Sequence, residues 1–203
     1  MTGAEIEPAR CPWHGISDPL YALYHDTEWG VPHADTTRLF EKLCLEGFQS
    51  GLSWLTILRK RDNFRRAFAG FEPETVARYG ERDVARLLAD AGIVRHQGKI
   101  RAAIANARAV LELGERQGLA HFLWGFVDGK PVVNRFARLS DIPSETALSK
   151  RVSKALKAEG LRFVGPTTVY AFLQSSGFVN DHLVSCHRHA PCAALQRAFE
   201  APR

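Results

Sequence analysis

No apolar run in this 203-residue chain approaches the ~18 to 20 residues needed to cross a membrane, so no membrane partner is expected. The stretch Met1 to Cys11 lacks the charged-then-apolar pattern of a secretory leader, and a cytoplasmic location is the expectation. Cysteine is scarce too. Four in a chain of this size are too few for a disulfide scaffold, which leaves free thiols or a metal. Repeats, low-complexity linkers and wide shifts of composition are all missing. Acidic residues are the scarcer charge, 22 against 27 Lys and Arg, and the net +5 favours an acidic partner. What is present suffices for a core: 45% of residues are hydrophobic and 24% charged.

The periodicity is helical nearly throughout. Thr36 or Thr37 is placed to cap a helix whose Leu39, Phe40, Leu43 and Cys44 form a buried stripe, with Gly47 placed to end it. Leu52, Leu55, Ile57 and Leu58 carry a second helix to the basic run Arg59-Lys60-Arg61. Further helices are predicted over about 62–69, 73–79, 81–91, 97–114, 119–125, 144–159 and 166–176. Residues 126–133, around the turn Asp128-Gly129, are expected to be extended. The expected fold class is all-α, in two helical lobes.

Four features carry chemistry. Cys11 and His25 near one end, and His182 and Cys186 near the other, make a Cys2His2 set. On a helix the last two, four positions apart, would share a face and a tetrahedral zinc. Ordinary core burial of Cys and His is the competing reading. Glu46 falls at the predicted end of a helix among apolar residues, where the macrodipole disfavours its charge; a side chain turned to solvent is the plain alternative. Trp13, Tyr21, Tyr24, Trp29, Phe48 and Trp54 concentrate aromatic surface in the first third of the chain, three of its four tryptophans among them. Such surfaces pack cores, and they also sandwich a base extruded from a duplex. Finally, Gly160 to Thr168 lies between the basic helix around Lys150, Arg151 and Lys154 and an apolar helix, and would present amides to one phosphate group or serve as a connector.

The stretches Arg10-Cys11-Pro12-Trp13, Asp18-Pro19-Leu20-Tyr21, Tyr24 to Pro32, Leu45-Glu46-Gly47, Gly51-Leu52-Ser53-Trp54, Arg95 to Ile100, Phe163-Val164-Gly165 and Val179-Asn180-Asp181-His182 together resemble 3-methyladenine DNA glycosylase I, in order from about residue 9 to 186. The resemblance implies a helix-hairpin-helix glycosylase fold of two helical lobes. It implies one structural zinc ion per chain, held by Cys11, His25, His182 and Cys186 and joining the terminal segments. A single glycosylase domain over 9–190 and a C-terminal tail over 191–203 follow. The stretch from His187 to Arg203 is expected to be solvated, although His187, His189 and Cys192 would be competitors for metal. Glu46 is implied as the catalytic residue, hydrogen-bonding the alkylated adenine. Tyr24 and Trp54 are implied as base-binding residues, with Trp13, Tyr21 and Trp29 lining or supporting the wall. Gly51 and Leu52 would fill the gap left by the flipped nucleotide, and Phe163, Val164, Gly165 and Thr167 belong to the phosphate-gripping hairpin. Phe48 and the extra residue within His14 to Ser17 depart from the pattern.

Methylation at N3 makes adenine a cation that departs neutral, so little acid catalysis is required. The position matching the departure-assisting Asp of related enzymes is Asn180. Flipping and selective binding are therefore expected to carry the reaction, without strand cleavage. The expected partner is double-stranded DNA containing 3-methyladenine, met by a monomer. A zinc-stabilised, non-catalytic DNA-binding module is the alternative. A zinc hydrolase, which would keep one open metal position, is a third.

Overall fold

Asp18 followed by proline starts the first helix: its carboxylate accepts from the amides of Leu20 and Tyr21. This helix, α1 (Pro19–Thr27), has no counterpart in the sequence periodicity, because its apolar pattern is weak and its two buried residues are Tyr24 and His25. The structure, a computed structural model, describes residues 8–202; most of the segment behind the leader reading, Met1–Glu7, lies outside them. Among the described residues no helix is long and apolar enough to cross a membrane.

The next helix, α2 (Thr36–Gln49), is capped by Asp35 rather than by either threonine, its carboxylate accepting from Arg38 N at 2.7 Å. It continues past Gly47. A Cβ there would sit 3.3 Å from the Cβ of Phe163, so this glycine serves a close approach and not a helix stop. With ten buried residues, α2 is the central element. It packs on α3 (Trp54–Ala67), α6 (Gln97–Gly114), α7 (Leu119–Gly125) and α9 (Pro166–Ser175). The two helices expected up to 61 and over 62–69 are the one helix α3, capped by Ser53. Helices α4 (Pro73–Ala77), α5 (Glu81–Ala89) and α8 (Ala147–Ala158) fall close to their predicted spans, and α6 and α7 on theirs.

The expected extended stretch shrinks to β1 (Val132–Val133), parallel to β2 (Val179–Asn180); residues 127–129 turn instead. The final helix, α10 (His189–Ala198), corrects the solvated tail. Cys192 and Gln196 are buried, and the Gln196 amide donates to Gly30 O and Gly177 O. Sequence periodicity missed it because only one side of a ten-residue helix is covered.

Gly177 locks this corner. Its φ is +75°, and a Cβ would lie 2.3 Å from the Pro32 nitrogen, a backbone atom that cannot rotate away. Gly177→Ala is therefore expected to lower stability by on the order of 3 kcal/mol. A urea unfolding midpoint equal to that of the parent protein would contradict this packing.

Candidate functional site: an aromatic slot and a Cys2His2 corner

Five aromatic residues and one carboxylate converge on a cavity of about 300 Å³. Tyr21 and Tyr24 come from α1 and Trp54 from the first turn of α3, while Trp13 and Trp29 flank α1 in sequence. Trp13 meets Tyr21 at 5.2 Å and Trp29 edge-on at 4.8 Å; Tyr24 meets Trp54 at 5.4 Å. Trp13 thus lines the slot despite the extra residue that follows it. Phe48 faces the other way, packing on Phe64 and Phe68 in the core.

Glu46, on the last turn of α2, lines this slot and is only 3% exposed, which excludes the solvent-facing alternative. Its Oε1 accepts from Ser175 Oγ of α9 at 3.0 Å, and its Oε2 has no partner among the described residues. A buried carboxylate oxygen left without a donor costs free energy unless something that enters the slot supplies one. Burial pushes the Glu46 carboxyl up to about 7, against the opposing pull of Lys42 and of the Ser175 hydrogen bond. Burial, with Glu46 beside them, likewise raises both phenols, Tyr21 to about 12. The Trp54 indole N–H is also buried and unpartnered.

The cavity also takes in residues that the sequence did not point to: Gln49, Leu139, Ile142, Ala171 and Gln174. Ala171 and Gln174 lie one turn apart on α9, a spacing with no meaning until α9 is laid against α2. Asn180 and Asp181 stay out of the slot. The Asn180 amide donates to His189 O, and Asp181 accepts from Tyr170, Gln174 and Asn134. Asp181 is fully buried with its oxygens engaged, so it orients Gln174.

The residues Cys11, His25, His182 and Cys186 do meet, all buried, their donor atoms within 4.8 Å of one another. The helical argument for the second pair is corrected: residues 181–188 form a loop and turns between β2 and α10. Metal bonds of about 2.3 Å to sulfur and about 2.1 Å to nitrogen give a tetrahedral S···N edge of about 3.6 Å. His182 Nδ1 stands 3.7 Å from Cys11 Sγ and 3.5 Å from Cys186 Sγ, and His25 Nε2 stands 3.5 Å from Cys186 Sγ. The outer nitrogens are bound as metal ligands require: His25 Nδ1 to Asp26 at 2.7 Å, His182 Nε2 to Trp29 O at 3.1 Å. Both thiols accept backbone amides, from Leu183 and Arg188. The set fits a closed tetrahedral zinc site. Trp13 and Trp29 touch the two histidines edge-on, so this corner supports the wall of the slot. His187 binds Asp26, His189 binds Asn134 O, and Cys192 lies beneath Trp29 O.

Two loops meet the end of α2 that carries Glu46. Leu52 is 42% exposed on the turn after α2, a turn held by Lys99 Nζ, which donates to Phe48 O at 2.9 Å and Ser50 O at 2.6 Å. Between α8 and α9, Phe163 is 40% exposed at φ +56°, Gly165 caps α9 and Thr167 is exposed. The Val164 side chain is buried, with its carbonyl accepting from Ser153 Oγ; it holds the connection together from inside. Asn106 clamps the same connection through both the N–H and the C=O of Arg162. Lys150 pairs with Glu145, while Arg151 and Lys154 are exposed.

An aromatic slot ending in one buried, half-partnered carboxylate, carried by an all-helical scaffold, defines a receptor for a flat, electron-poor heterocycle that bears a hydrogen-bond donor. The methyladenine glycosylase family matches residues 13–189. DNA-3-methyladenine glycosylase 1 of Escherichia coli is 52% identical over 178 residues, covering 87% of this chain and 95% of that protein. A crystal structure of 3-methyladenine DNA glycosylase I superposes with a TM-score of 0.87 at 50% identity, covering 89% of this chain and 99% of the other. The Staphylococcus aureus 3-methyladenine DNA glycosylase I, solved for its recognition of 3-methyladenine, superposes at 0.83 with 38% identity, covering 85% of this chain and 93% of its own. The chain belongs to the methyladenine glycosylase family.

Proposed function

We propose that this protein is a DNA glycosylase that hydrolyses the N-glycosidic bond of 3-methyladenine in alkylated double-stranded DNA. The observation that carries this reading is Glu46: a buried carboxylate with one free oxygen at the end of an aromatic slot. A non-catalytic DNA-binding module has no use for such a group. The flipped base enters between the rings of Tyr24 and Trp54, with Trp13, Tyr21 and Trp29 completing the wall, and its amine donates to Glu46. A cationic base is attracted by aromatic faces and by the carboxylate together. The C1′–N9 bond then breaks, its electron pair neutralises the base, and water adds to the sugar carbon and loses a proton. With Asp181 fully engaged, no side chain in the slot is placed to push the base off; selective binding carries the rate.

The α8–α9 unit serves as a helix-hairpin-helix, gripping phosphate through the start of α9 with Phe163, Gly165 and Thr167 at the surface and Val164 behind them. Gly51 and Leu52 fill the vacated space in the duplex. A zinc ion held by Cys11, His25, His182 and Cys186 ties the chain before α1 to the loop after β2 and has no part in the chemistry. The glycosylase domain spans 9–190, acts as a monomer in the cytoplasm, and uses α10 as a packed appendage.

Chromatography of bases released from alkylated duplex DNA tests the reading. 3-Methyladenine should appear, and binding without release would favour the non-catalytic module. Affinity for duplex DNA should fall steeply with salt, in proportion to the phosphates contacted. A Cβ at Gly165 meets nothing within 4 Å, so Gly165→Val leaves the fold intact and crowds only what approaches from outside. DNA binding should drop about tenfold while zinc content stays at one per chain, a loss on the scale of one or two phosphate hydrogen bonds. Parallel loss of both would show damage to the fold rather than to a contact.

A further inference from the structure

Lys42 lies on α2 one turn before Glu46, a spacing that places both on one face of the helix. It is 8% exposed and absent from the cavity lining. Its Nζ donates to the Tyr24 hydroxyl at 3.2 Å and stands 4.5 Å from the Tyr24 ring centre and 5.2 Å from that of Trp54. A buried ammonium is costly unless a carboxylate balances it. Three carboxylates, one guanidinium and one imidazole face it: Glu41 and Glu46 from α2, Glu28 at the end of α1, Arg61 from α3, and the buried His33 ahead of α2. Glu28 is gripped by Arg61 through two bonds of 2.6 and 2.9 Å, and Glu41 is held by Arg65 at 2.9 Å. Of these three carboxylates, only Glu46 has a buried oxygen left without a donor among the described residues. Around Glu46 in turn stand Tyr21 and Tyr24 from α1, Ser175 from α9 and Lys42, whose ammonium is its one cationic neighbour among the described residues.

We propose that Lys42 is a positioning residue for base excision, holding Glu46 in its carboxylate form and bracing the Tyr24–Trp54 wall from outside the slot. This rests on the glycosylase reading and deepens it. Burial alone would leave Glu46 protonated at neutral pH, and a protonated carboxyl is a poorer acceptor for the amine of a cationic base. One helical turn away, the positive charge of Lys42 favours the ionised form and pulls the Glu46 carboxyl down against the effect of burial. It also disfavours charge on the bound base. Bond breaking moves that charge to the sugar, outside the wall, so Lys42 assists departure as well.

The test is single-turnover release of 3-methyladenine from alkylated duplex DNA, measured on both sides of neutrality. Lys42→Met should move the acidic limb of the pH profile upward by about one unit, lowering release below the limb about tenfold. Lys42→Arg should restore the limb. Lys42→Gln, which keeps a donor for the Tyr24 hydroxyl without the charge, should show the same upward shift and guards against a folding defect in the methionine variant. In a Glu46→Gln background neither neutral substitution should move a limb, since no carboxylate is left to hold. A uniformly lower rate with an unmoved limb would make Lys42 a packing residue and overturn the proposal. Absence of release by the unsubstituted protein would instead overturn the glycosylase reading itself.

Discussion

Replacing Glu46 with glutamine should lower release of 3-methyladenine about 10- to 150-fold while leaving DNA affinity and zinc content near those of the parent. Glutamine has the same shape and still accepts from Ser175, but it loses the charge and turns one acceptor into a donor that meets the adenine amine head-on. A charge-assisted hydrogen bond is worth roughly 1.5 to 3 kcal/mol, which gives the range stated. Stability offers a second readout with a definite sign. Burial raises the Glu46 carboxyl to about 7 in the folded protein, so between the ordinary glutamate range and that pH the folded state holds a proton the unfolded state has lost. Stability contributed by this group is full at acid pH and declines as pH rises through the window. The glutamine variant should lack that decline. Release at the parental rate would remove Glu46 from the mechanism and leave base selectivity to Tyr24 and Trp54.

Cys186→Ser should abolish stoichiometric zinc and loosen both ends of the chain. A ligand present at about a thousandfold its Kd stabilises the folded state by about 4 kcal/mol, and for a chain of this length that corresponds to about 10 °C in Tm. The loss should reach the slot as well, because Trp13 and Trp29 lean on His25 and His182. Chelation of the parent protein should reproduce the drop, and the serine variant should no longer respond to chelator. One retained zinc per chain with an unchanged Tm would reject this ligand set.

Much of the helical framework was legible because burial on one face imposes a 3.6-residue period: α6 and α7 fall on their predicted spans. Elements whose covering partner lies far along the chain were not legible. Helix α1 buries only Tyr24 and His25, and α10 shows an apolar stripe too short to separate from a polar tail. The Cys2His2 set was readable as residue types, yet the reason first offered for His182 and Cys186, a shared helix face, was wrong. The loop after β2 brings them together instead, held by Asn180, whose Oδ1 accepts from His182 N at 3.2 Å. Lys42 stands one helical turn from Glu46, a spacing open to the sequence, but a lysine beside a glutamate on a helix is ordinarily a solvated pair.

By itself the sequence determined the helical class, the aromatic concentration in the first third, the identity of the four metal-type donors and the family resemblance, because these depend on residue type and local spacing alone. Tertiary structure alone decided that Glu46 is buried with one oxygen unpartnered among the described residues, that Ser175, 129 positions away, supplies its one hydrogen bond, and that Lys42 is buried beside it. Desolvation and pairing are properties of what surrounds an atom. Here those surroundings come from α3 and α9 packed on α2 and from α1 packed on α3, contacts that no local pattern in the chain encodes.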